Sequence, residues 1–385
     1  MAGRKNGYWR QHNMKTKIIA MYLPQYHETE ENNRWWGKGF TDWVSTKNAE
    51  PLFPGHLQPR APLDENYYDL SNPDVLKAHA KLAKEYGIGG FCFYHYWFSS
   101  TFRTLTKPAE NLLENPEIDI PFMFAWDNSS WIRTWSKYKT NANAWSPKKD
   151  IGEQRTDEES GILAKLEYGT QTDWKTHFNY LLPFFRDKRY LKIDRAPVFI
   201  FWNNFQKEVL TEMRQAWTEW ARAAGFSGMY FITRDDPYKD VTGYQALFNY
   251  EPQFSGWLNV GLLRRGIGRL KYLAGKEGLH KYSYDKVWGK ILKYAATHRD
   301  SYYGGFVNYD DTPRRGNTGK VVINVSAEKF EKYLGELYRI SCEREKEFLF
   351  LTAWNEWGEG AFLEPDKAYG YAYLEAVRRV TDEKQ

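Results

Sequence analysis

The chain reads Phe348-Leu-Phe-Leu-Thr-Ala-Trp-Asn-Glu-Trp-Gly-Glu-Gly360 near its C-terminus, and this stretch is the most informative part of the sequence. An apolar, strand-like run leads straight into two glutamates, Glu356 and Glu359, set among tryptophans and glycines. Carboxylates prefer water, and their mutual repulsion raises the pKa of one of them. Cleavage of a glycosidic bond uses such a pair, one to protonate the departing oxygen and one to assist on the other side of the sugar. The stretch therefore predicts two catalytic groups on the same side of a turn at the end of a buried strand.

Seven further apolar runs precede this one, and helix-patterned segments separate most of them. Short runs rich in aromatic and β-branched residues, alternating with helices, indicate βα units and a parallel sheet that is buried on both faces. A polar segment follows each run, as a (β/α)8 barrel requires, because its active site is built from loops at the carboxyl ends of the strands. A doubly wound sheet is the alternative, but no glycine-rich phosphate loop follows the first run. We therefore predict a single (β/α)8 TIM barrel of the α/β class, with strands at residues 17–23, 89–94, 121–126, 197–202, 228–233, 246–250, 304–307 and 347–353.

Two connections are too long to be simple loops. Residues 136–168 follow the third strand, and residues 253–303 separate the sixth strand from the seventh. Insertions of this length on a compact scaffold are usually lids or binding loops. We predict a flexible N-terminal tail at residues 1–14 and one catalytic domain at residues 15–385.

The N-terminal region and the hydropathy bear on where the protein acts. The apolar run at residues 18–23 is shorter than the core of a signal peptide. No stretch of the sequence approaches the length of a membrane-spanning helix. These features predict a cytoplasmic protein with no membrane span.

Aromatic residues are unusually frequent, with 17 Trp, 28 Tyr and 23 Phe. That is more than a core needs, since Val, Ile and Leu fill a core with less demanding geometry. Sugars present flat C–H faces that stack on Trp and Tyr, although protein interfaces and single-stranded nucleic acid also use aromatic rings. We therefore expect many of these rings to line a groove for a polysaccharide or oligosaccharide.

Charge and cysteine content exclude several other classes. The formal net charge of +5 is small, and the basic residues are interspersed with acidic ones, so no nucleic-acid partner is predicted. Cys92 and Cys342 are typical of buried thiols in a reduced compartment rather than of a disulfide framework. No convincing metal-ligand spacing occurs. We predict no metal and no cofactor.

Candidate substrate-binding residues lie at the predicted strand ends. After the first strand, the loop at residues 35–43 carries three tryptophans and two glycines and could form the wall of a sugar subsite. A lone histidine such as His27 is more often structural. In the second strand, alternation directs Tyr94 and Tyr96 to one side and His95 and Trp97 to the other. Arg133 suits an acidic sugar or phosphate, or a salt bridge to a site carboxylate, and the pair Arg314 and Arg315 suits an anionic group. The full predicted set is Tyr22, His27, Trp36, Trp43, Tyr94, His95, Trp97, Trp126, Asn128, Arg133, Arg234, Glu251, Tyr309, Arg314, Trp354 and Asn355.

These motifs together resemble the WbsX-type proteins of bacterial polysaccharide gene clusters, a group similar to glycoside hydrolase family 99. The resemblance covers nearly the whole chain, from Ile18 to Ala376. The chain departs from the family pattern at two places, which indicates that its substrate could differ. Ser129 stands where WbsX-type proteins often have an acidic residue, and residues 136–168 form a longer insertion than usual. The motifs that carry the resemblance lie at residues 22–27, 35–40, 91–97, 126–135, 181–185, 312–315 and 354–360.

The resemblance implies roles for the two glutamates. Family 99 members are (β/α)8 retaining endo-α-mannosidases, and their Asn-Glu-Trp-x-Glu-Gly motif matches Asn355 to Gly360. Carried over, Glu359 is the general acid/base. Glu356 is the base that removes the proton from the sugar's own 2-hydroxyl, which attacks the anomeric carbon and gives a 1,2-anhydro intermediate.

Three functions remain open at this point. Hydrolase-type chemistry on α-glycosidic bonds is favoured, because a protonated carboxylic acid is of most use with an unactivated glycoside. The second is a glycosyltransferase of cell-surface polysaccharide biosynthesis, in which Arg314 and Arg315 could hold the phosphates of the donor. The third is a non-catalytic carbohydrate-binding protein, in which both glutamates would be dispensable.

Overall fold

The chain folds into a barrel of parallel strands in a computed structural model that describes residues 15–132, 142–143, 161–259 and 278–382. The predicted tail at residues 1–14 and the candidate residue Arg133 lie outside these ranges. Each barrel strand is labelled here in chain order. They are β1 (Lys17–Tyr22), β2 (Gly90–Ser99), β3 (Phe122–Trp126), β4 (Ala196–Phe201), β5 (Tyr230–Arg234), β6 (Ala246–Phe248), β7 (Ser301–Tyr302 and Gly304–Phe306) and β8 (Phe348–Thr352).

The eight strands pair in chain order, and β7 closes the circle. Its first segment pairs with β6 through Leu247 and Ser301, and its second segment pairs with β8 through Gly305 and Leu351. β8 then pairs with β1, so that nine parallel strand segments form a nearly closed barrel. A side chain at Gly304 would prevent this closure, since a Cβ atom there would lie 1.9 Å from the carbonyl oxygen of Asn249. The predicted (β/α)8 barrel is confirmed.

Helices surround the barrel and begin where the sequence provides capping residues. Asn72 accepts a hydrogen bond from the backbone N–H of Asp74, and Pro73 occupies the first turn of the next helix, where its missing N–H costs nothing. No helix separates β5 from β6, a stretch that the structure describes completely. The main helices are Glu30–Trp36, Asp42–Lys47, Pro73–Glu85, Lys107–Glu114, Gln171–Arg186, Lys207–Ala223, Tyr284–Thr297, Thr312–Arg315, Ala327–Glu343 and Ala372–Asp382.

The two predicted insertions carry small sheets and helices of their own. Within the first, Ala142–Asn143 and Ile162–Ala164 pair with Ser130–Ile132, a strand that precedes the insertion. Within the second, the strand His280–Ser283 pairs with Lys320–Ile323 beyond β7. The second insertion also includes a π-helical turn, Phe254–Leu258. Residues 136–141 and 144–160 of the first insertion and residues 260–277 of the second lie outside the described residues.

Most of the large aromatic side chains belong to the hydrophobic core. Among the bulkiest fully buried residues are Trp126, Trp217, Trp288 and Trp354, which pack between the barrel and its helices or beneath the loops. The expectation that many rings line a groove therefore holds for a minority only. Within the described part of the chain, no helix combines the length and the apolar character needed to cross a lipid bilayer.

Candidate active site

An open cavity lies at the mouth of the barrel, above the carboxyl ends of the strands. Residues from the ends of most of the strands meet there, as a barrel predicts for side chains that lie far apart in sequence. Four acidic, six basic or amide and six aromatic residues line it, together with Leu23. The lining consists of Leu23, Gln25, Tyr94, Tyr96, Asp127, Trp202, Arg234, Tyr250, Gln253, Trp257, Tyr309, Asp311, Arg314, Arg315, Lys320, Glu356 and Glu359.

The guanidinium of Arg314 holds three carboxylates at the base of this cavity. Its Nη2 donates to Oε1 of Glu356 at 2.8 Å and to Oδ2 of Asp42 at 2.7 Å. Its Nη1 donates to Oε1 of Glu359 at 3.0 Å. The Glu356 side chain is 4% exposed and the Glu359 side chain is 19% exposed. Glu359 therefore faces the cavity, and Glu356 lies deeper.

The loop after β8 fixes both glutamates through backbone contacts. The short strand Asn355–Glu356 pairs with Ala361–Phe362, and a tight turn from Trp357 to Glu359 connects them. Gly360 adopts a left-handed conformation with φ of 60°, which glycine accepts without steric cost. The backbone N–H of Asp310 donates to the carbonyl oxygen of Glu359 at 2.6 Å. The loop is thus held from the β7 side as well as from its own hairpin.

Gly358 allows Arg314 and Asp42 to approach this turn. A Cβ atom at this position would lie 2.6 Å from Nε of Arg314 and 2.7 Å from Oδ2 of Asp42. Real Cβ atoms do not tolerate such distances, and the guanidinium is already hydrogen bonded on several sides. A residue without a side chain is therefore required between the two glutamates.

A second buried network supports the loop from below. The Trp357 indole N–H donates to Glu364 at 2.5 Å, and the Tyr68 hydroxyl donates to the same carboxylate at 2.9 Å. The side-chain amide of Asn355 accepts from the backbone N–H of Leu23 at 2.7 Å and donates to its carbonyl oxygen at 3.0 Å. Asn355 therefore ties the end of β8 to the end of β1, and its role is to position the loop.

Burial and crowding of negative charge raise the pKa of both glutamates. Burial is the main cause for Glu356, whose pKa rises to about 8 although Arg314 opposes the change. Burial also raises the pKa of Glu359, and Asp311 and Asp42 add to the effect. One positive guanidinium faces three carboxyl groups, so the cluster favours keeping one proton among them near neutral pH. A site that holds one proton between two carboxyl groups can act as acid and base in the same cycle.

Aromatic side chains form one wall of the cavity. The Tyr94 hydroxyl donates to the Tyr250 hydroxyl at 3.0 Å, and Gln25 donates to the Tyr96 hydroxyl at 3.2 Å. Burial raises the pKa of Tyr250, and the negative charge of Glu359 raises it further. The phenols therefore stay neutral and can donate to or accept from sugar hydroxyls.

Arg234 and Asp127 lie on this same wall. Arg234 donates to the Trp202 carbonyl at 2.8 Å, to Gln253 Oε1 at 2.9 Å and to Asn203 Oδ1 at 2.8 Å. Its guanidinium carbon lies 4.6 Å from the centre of the Trp202 ring. Asp127 accepts a hydrogen bond from the Ser129 hydroxyl at 2.6 Å. Both side chains are held before any substrate arrives.

The structure brings together only part of the predicted site. The predicted residues that line the cavity are Tyr94, Arg234, Tyr309, Arg314, Glu356 and Glu359. The others that are described do not line it. They are Tyr22, His27, Trp36, Trp43, His95, Trp97, Trp126, Asn128, Glu251, Trp354 and Asn355.

Strand alternation explains why His95 and Trp97 lie elsewhere. Both point away from the barrel axis, toward the helix Gln171–Arg186. The His95 Nε2 is hydrogen bonded to the His177 Nε2 at 2.8 Å, and the Trp97 ring stacks on His177 with centres 4.3 Å apart. The alternation itself is as predicted, but the cavity side is that of Tyr94 and Tyr96.

Four of the remaining outlying residues make internal hydrogen bonds. The amide of Asn128 donates to the Tyr168 hydroxyl and to the Asn203 carbonyl, and accepts from the Asn203 N–H. Glu251 accepts from the backbone and the hydroxyl of Ser255, and burial raises its pKa to about 7. Tyr22 shares a hydrogen bond with His79, and the Trp43 indole donates to the Tyr68 carbonyl. Their polar atoms are thus engaged within the protein.

Several cavity residues were not predicted. Tyr96 could have been found from its alternation with Tyr94, and Asp127 from its position directly after β3. Asp42 has no sequence signal, because its ion pair with Arg314 spans 272 residues. The same holds for Trp257, which lies within an insertion. The other unpredicted lining residues are Leu23, Gln25, Trp202, Tyr250, Gln253, Asp311 and Lys320, whereas Arg315 was considered only as a ligand for donor phosphates.

Comparison with known proteins places this barrel among carbohydrate-related sequences. Residues 18–377 match the family model described as glycosyltransferase WbsX. Two curated relatives, both uncharacterized proteins WxcX from strains of Xanthomonas campestris pv. campestris, are 28% identical over 380 residues and 29% identical over 370 residues. Each match covers 94% of this chain and 49% of the relative, so the chain spans about half the length of the curated relatives it matches.

Solved structures share the fold at low sequence identity. A glycoside hydrolase-like protein superposes with a TM-score of 0.56 at 14% identity, covering 99% of this chain and 97% of the other. The GH99 endo-alpha-mannosidase from Bacteroides thetaiotaomicron superposes with a TM-score of 0.51 at 14% identity, covering 97% of each chain. These similarities show the barrel fold.

Proposed function

Because this chain belongs to the glycosyltransferase WbsX family, we propose that residues 15–385 act as one catalytic domain that cleaves α-glycosidic bonds of a polysaccharide or oligosaccharide with retention of configuration. Family and fold together support a carbohydrate-active enzyme. Glu359 acts as the general acid/base and Glu356 assists on the other side of the reacting sugar. The alternative is transfer of a sugar to a growing cell-surface polysaccharide.

The observation that carries this proposal is the shared guanidinium of Arg314. Glu356 and Glu359 accept hydrogen bonds from its two neighbouring terminal nitrogens, at 2.8 Å and 3.0 Å. Carboxylates that reach adjacent nitrogens of one planar group lie side by side. Retaining enzymes hold their two carboxyl groups about 5 Å apart, whereas inverting enzymes leave room for a water between them. The side-by-side arrangement supports retention.

Exposure supports the division of roles between the two glutamates. Glu359 is the more exposed and can reach the oxygen of the scissile bond from the cavity. Its proton passes to that oxygen as the bond to the anomeric carbon breaks. Glu356 takes the proton of the 2-hydroxyl, whose oxygen attacks the anomeric carbon and closes a 1,2-anhydro ring. Glu359 then removes a proton from water, which opens the ring at the anomeric carbon, and Glu356 returns its proton to the 2-oxygen.

Arg314 also supports hydrolysis over transfer from a phosphate-linked donor. A donor with phosphates needs cations whose hydrogen-bond donors are available to it. Arg314 already donates to Asp42, Glu356 and Glu359 and is 5% exposed in its side chain. The expectation that Arg314 holds a donor phosphate is therefore not supported by its position.

Release of oligosaccharides tests the proposal directly. The solved endo-alpha-mannosidase that shares the fold makes α-linked mannan the first polymer to test, followed by bacterial surface, plant and yeast polysaccharides. Glu359→Gln and Glu356→Gln should each abolish release while polymer binding survives, and Glu375→Gln on the outer helix Ala372–Asp382 is the matched control. Full release by both variants would refute the assignment. Consumption of sugar nucleotide with extension of an acceptor, and no hydrolysis, would favour the transferase.

A further inference from the structure

One side of the cavity carries Arg315 and Lys320 and a buried carboxylate, Asp311. Asp311 accepts from Nε of Arg315 at 3.0 Å, from the backbone N–H of Lys320 at 2.6 Å and from the Tyr309 hydroxyl at 3.2 Å. Its side chain is 1% exposed, whereas the Arg315 side chain is 39% exposed. Asp311 therefore orients Arg315 from behind, and the exposed part of the guanidinium is directed outward.

Aromatic rings lie beside these two cations. The Lys320 Nζ is 5.5 Å from the centre of the Trp257 ring, and the Trp257 and Tyr309 rings are 5.0 Å apart. Trp257, Tyr309, Arg315 and Lys320 all line the same cavity as the catalytic pair. Asp311 raises the pKa of Glu359 and Arg315 lowers it, so the group lies within electrostatic reach of Glu359.

The chemistry of this group matches one kind of sugar. An indole ring accepts the C–H face of a pyranose, and a guanidinium matches the two oxygens of a carboxylate. Arg315 and Lys320 bring two positive charges to the side of the cavity that the aromatic rings line. Neutral sugar hydroxyls form weaker hydrogen bonds with such cations than a carboxylate, which gains charge-assisted hydrogen bonds.

We propose that Arg315 and Lys320, with the Trp257 ring beside them, form a subsite for a sugar residue that carries a carboxylate. The substrate class is thus an acidic polysaccharide or oligosaccharide whose uronic acid lies next to the bond that is cleaved. This inference rests on the proposed function, because it takes a carbohydrate to be the ligand of the cavity. It adds the charge of the substrate, which the catalytic pair alone does not specify.

Matched ligand pairs test the subsite without turnover. The methyl α-glycosides of glucuronic, galacturonic and mannuronic acid are compared with those of glucose, galactose and mannose by NMR titration against the full chain carrying Glu359→Gln. At least one uronide should bind about tenfold more tightly than its neutral counterpart, the usual gain from a charge-assisted contact. Equal binding within every pair, or no uronide binding at all, would overturn the proposal.

Substitutions test whether preferential binding of uronides depends on Arg315 and Lys320. Lys320→Met and Arg315→Gln should each reduce the preference to below about threefold, while Lys320→Arg keeps the charge and should keep the preference. Lys281→Met is the matched control, since Lys281 lies on the strand paired with Lys320–Ile323 but is absent from the cavity. Arg315→Gln leaves Asp311 without its ion-pair partner and could destabilise the protein. In that case Lys320→Met alone still tests the subsite. A preference that survives both substitutions would place the acidic sugar elsewhere and refute this subsite.

The outcome is distinguishable from that of the proposed function. Cleavage of neutral polymers with no uronide preference would refute the acidic subsite and leave the hydrolase assignment intact. A uronide preference that depends on Lys320, together with no cleavage of any polymer, would leave the subsite intact and refute hydrolysis. A gain in affinity for methyl α-glucoside 6-phosphate but for none of the uronides would also overturn the inference.

Discussion

Gly358 lies so close to Arg314 that a Cβ atom at this position would be 2.6 Å from the guanidinium Nε. Gly358→Ala should therefore displace the guanidinium that holds Glu356 and Glu359. We expect kcat to fall about 100-fold, because a displacement of this size misaligns the catalytic groups. The free energy of unfolding should fall by about 1–3 kcal/mol, the usual cost of forcing an extra methyl group into a packed site. Steady-state kinetics and urea unfolding measure the two effects.

The matched control for this substitution is Gly289→Ala. Gly289 lies within the helix Tyr284–Thr297, and a Cβ atom there would have no neighbour within 4 Å. Alanine favours the helix by about 0.5–1 kcal/mol over glycine, so this variant should gain stability at unchanged activity. Wild-type kinetics in Gly358→Ala would mean that the Arg314 arrangement is not needed for turnover.

The pH dependence of activity should reflect the proton that the glutamate pair holds. Burial raises the pKa of both groups, that of Glu356 to about 8. The raised pKa of Glu359 means that this general acid keeps its proton at pH values where an ordinary glutamate has lost it. We therefore expect kcat/KM to decline on the basic side of the profile, at a pH above the ordinary range of a glutamate.

Asp42 provides an internal test of this assignment. Its negative charge raises the pKa of both glutamates, so Asp42→Asn should move the basic limb of the profile to lower pH. A limb that stays in place in Asp42→Asn would show that the observed titration belongs to another group. Asp285→Asn, at a surface ion pair with Lys329, is the control.

Substitutions of the adjacent residues Asp127 and Asn128, which follow β3, should have opposite effects: the first should lower activity and the second should lower stability. Asp127 lines the cavity, and we expect it to accept hydrogen bonds from sugar hydroxyls. Asp127→Asn should lower kcat/KM by about 10- to 100-fold, the value of a hydrogen bond to a charged group, with little loss of stability. Asn128→Ala removes three internal hydrogen bonds and should cost about 2–4 kcal/mol of unfolding free energy. The reverse pattern, measured by kinetics and thermal unfolding, would exchange their roles.

The buried His95–His177 pair should make the protein sensitive to acid. Burial lowers the pKa of His95 to about 3 and that of His177 well below its usual value. The unfolded chain binds these protons near pH 6.5, so the stability is fully present above pH 6.5 and is lost as pH falls toward 3. Proton uptake by each of the two histidines in the unfolded chain should lower the free energy of unfolding by about 2 kcal/mol at pH 5.

Substitution of one ring tests the source of that sensitivity. His177→Phe keeps an aromatic ring against Trp97 and should flatten the decline in unfolding free energy between pH 7.5 and pH 5, measured by urea unfolding. His280→Gln, at an exposed position, should leave the slope unchanged. An unaltered slope in His177→Phe would assign the acid sensitivity to other groups.

The fold could be predicted from sequence because strand periodicity and polar strand ends are local signals. The seventh strand was predicted from its second half only, since Ser301–Tyr302 is polar and short, and its pairing with β6 depends on contacts distant in sequence. The glutamate pair was predicted for the same local reason, as both groups lie in one turn.

The rest of the candidate site depends on long-range geometry. At residues 94–97 the sequence predicts two alternating faces of the strand, but not which face lines the cavity. Most of the tryptophans that suggested sugar binding pack in the core instead. Asp42 reaches Arg314 from a short helix, and Trp257 lines the cavity from an insertion. The positions of both follow from tertiary packing alone. No local pattern distinguishes them from neighbours that are merely buried.

Because one guanidinium serves Asp42, Glu356 and Glu359, the four residues form a single thermodynamic unit. The loss of one carboxylate relieves repulsion for the other two, and the loss of Arg314 exposes all three to one another. Changes at these positions should therefore show strong epistasis, with Asp42→Asn harmful alone and protective in an Arg314→Lys background. Natural variants of this barrel that dispense with Arg314 should also have replaced one of its acidic partners.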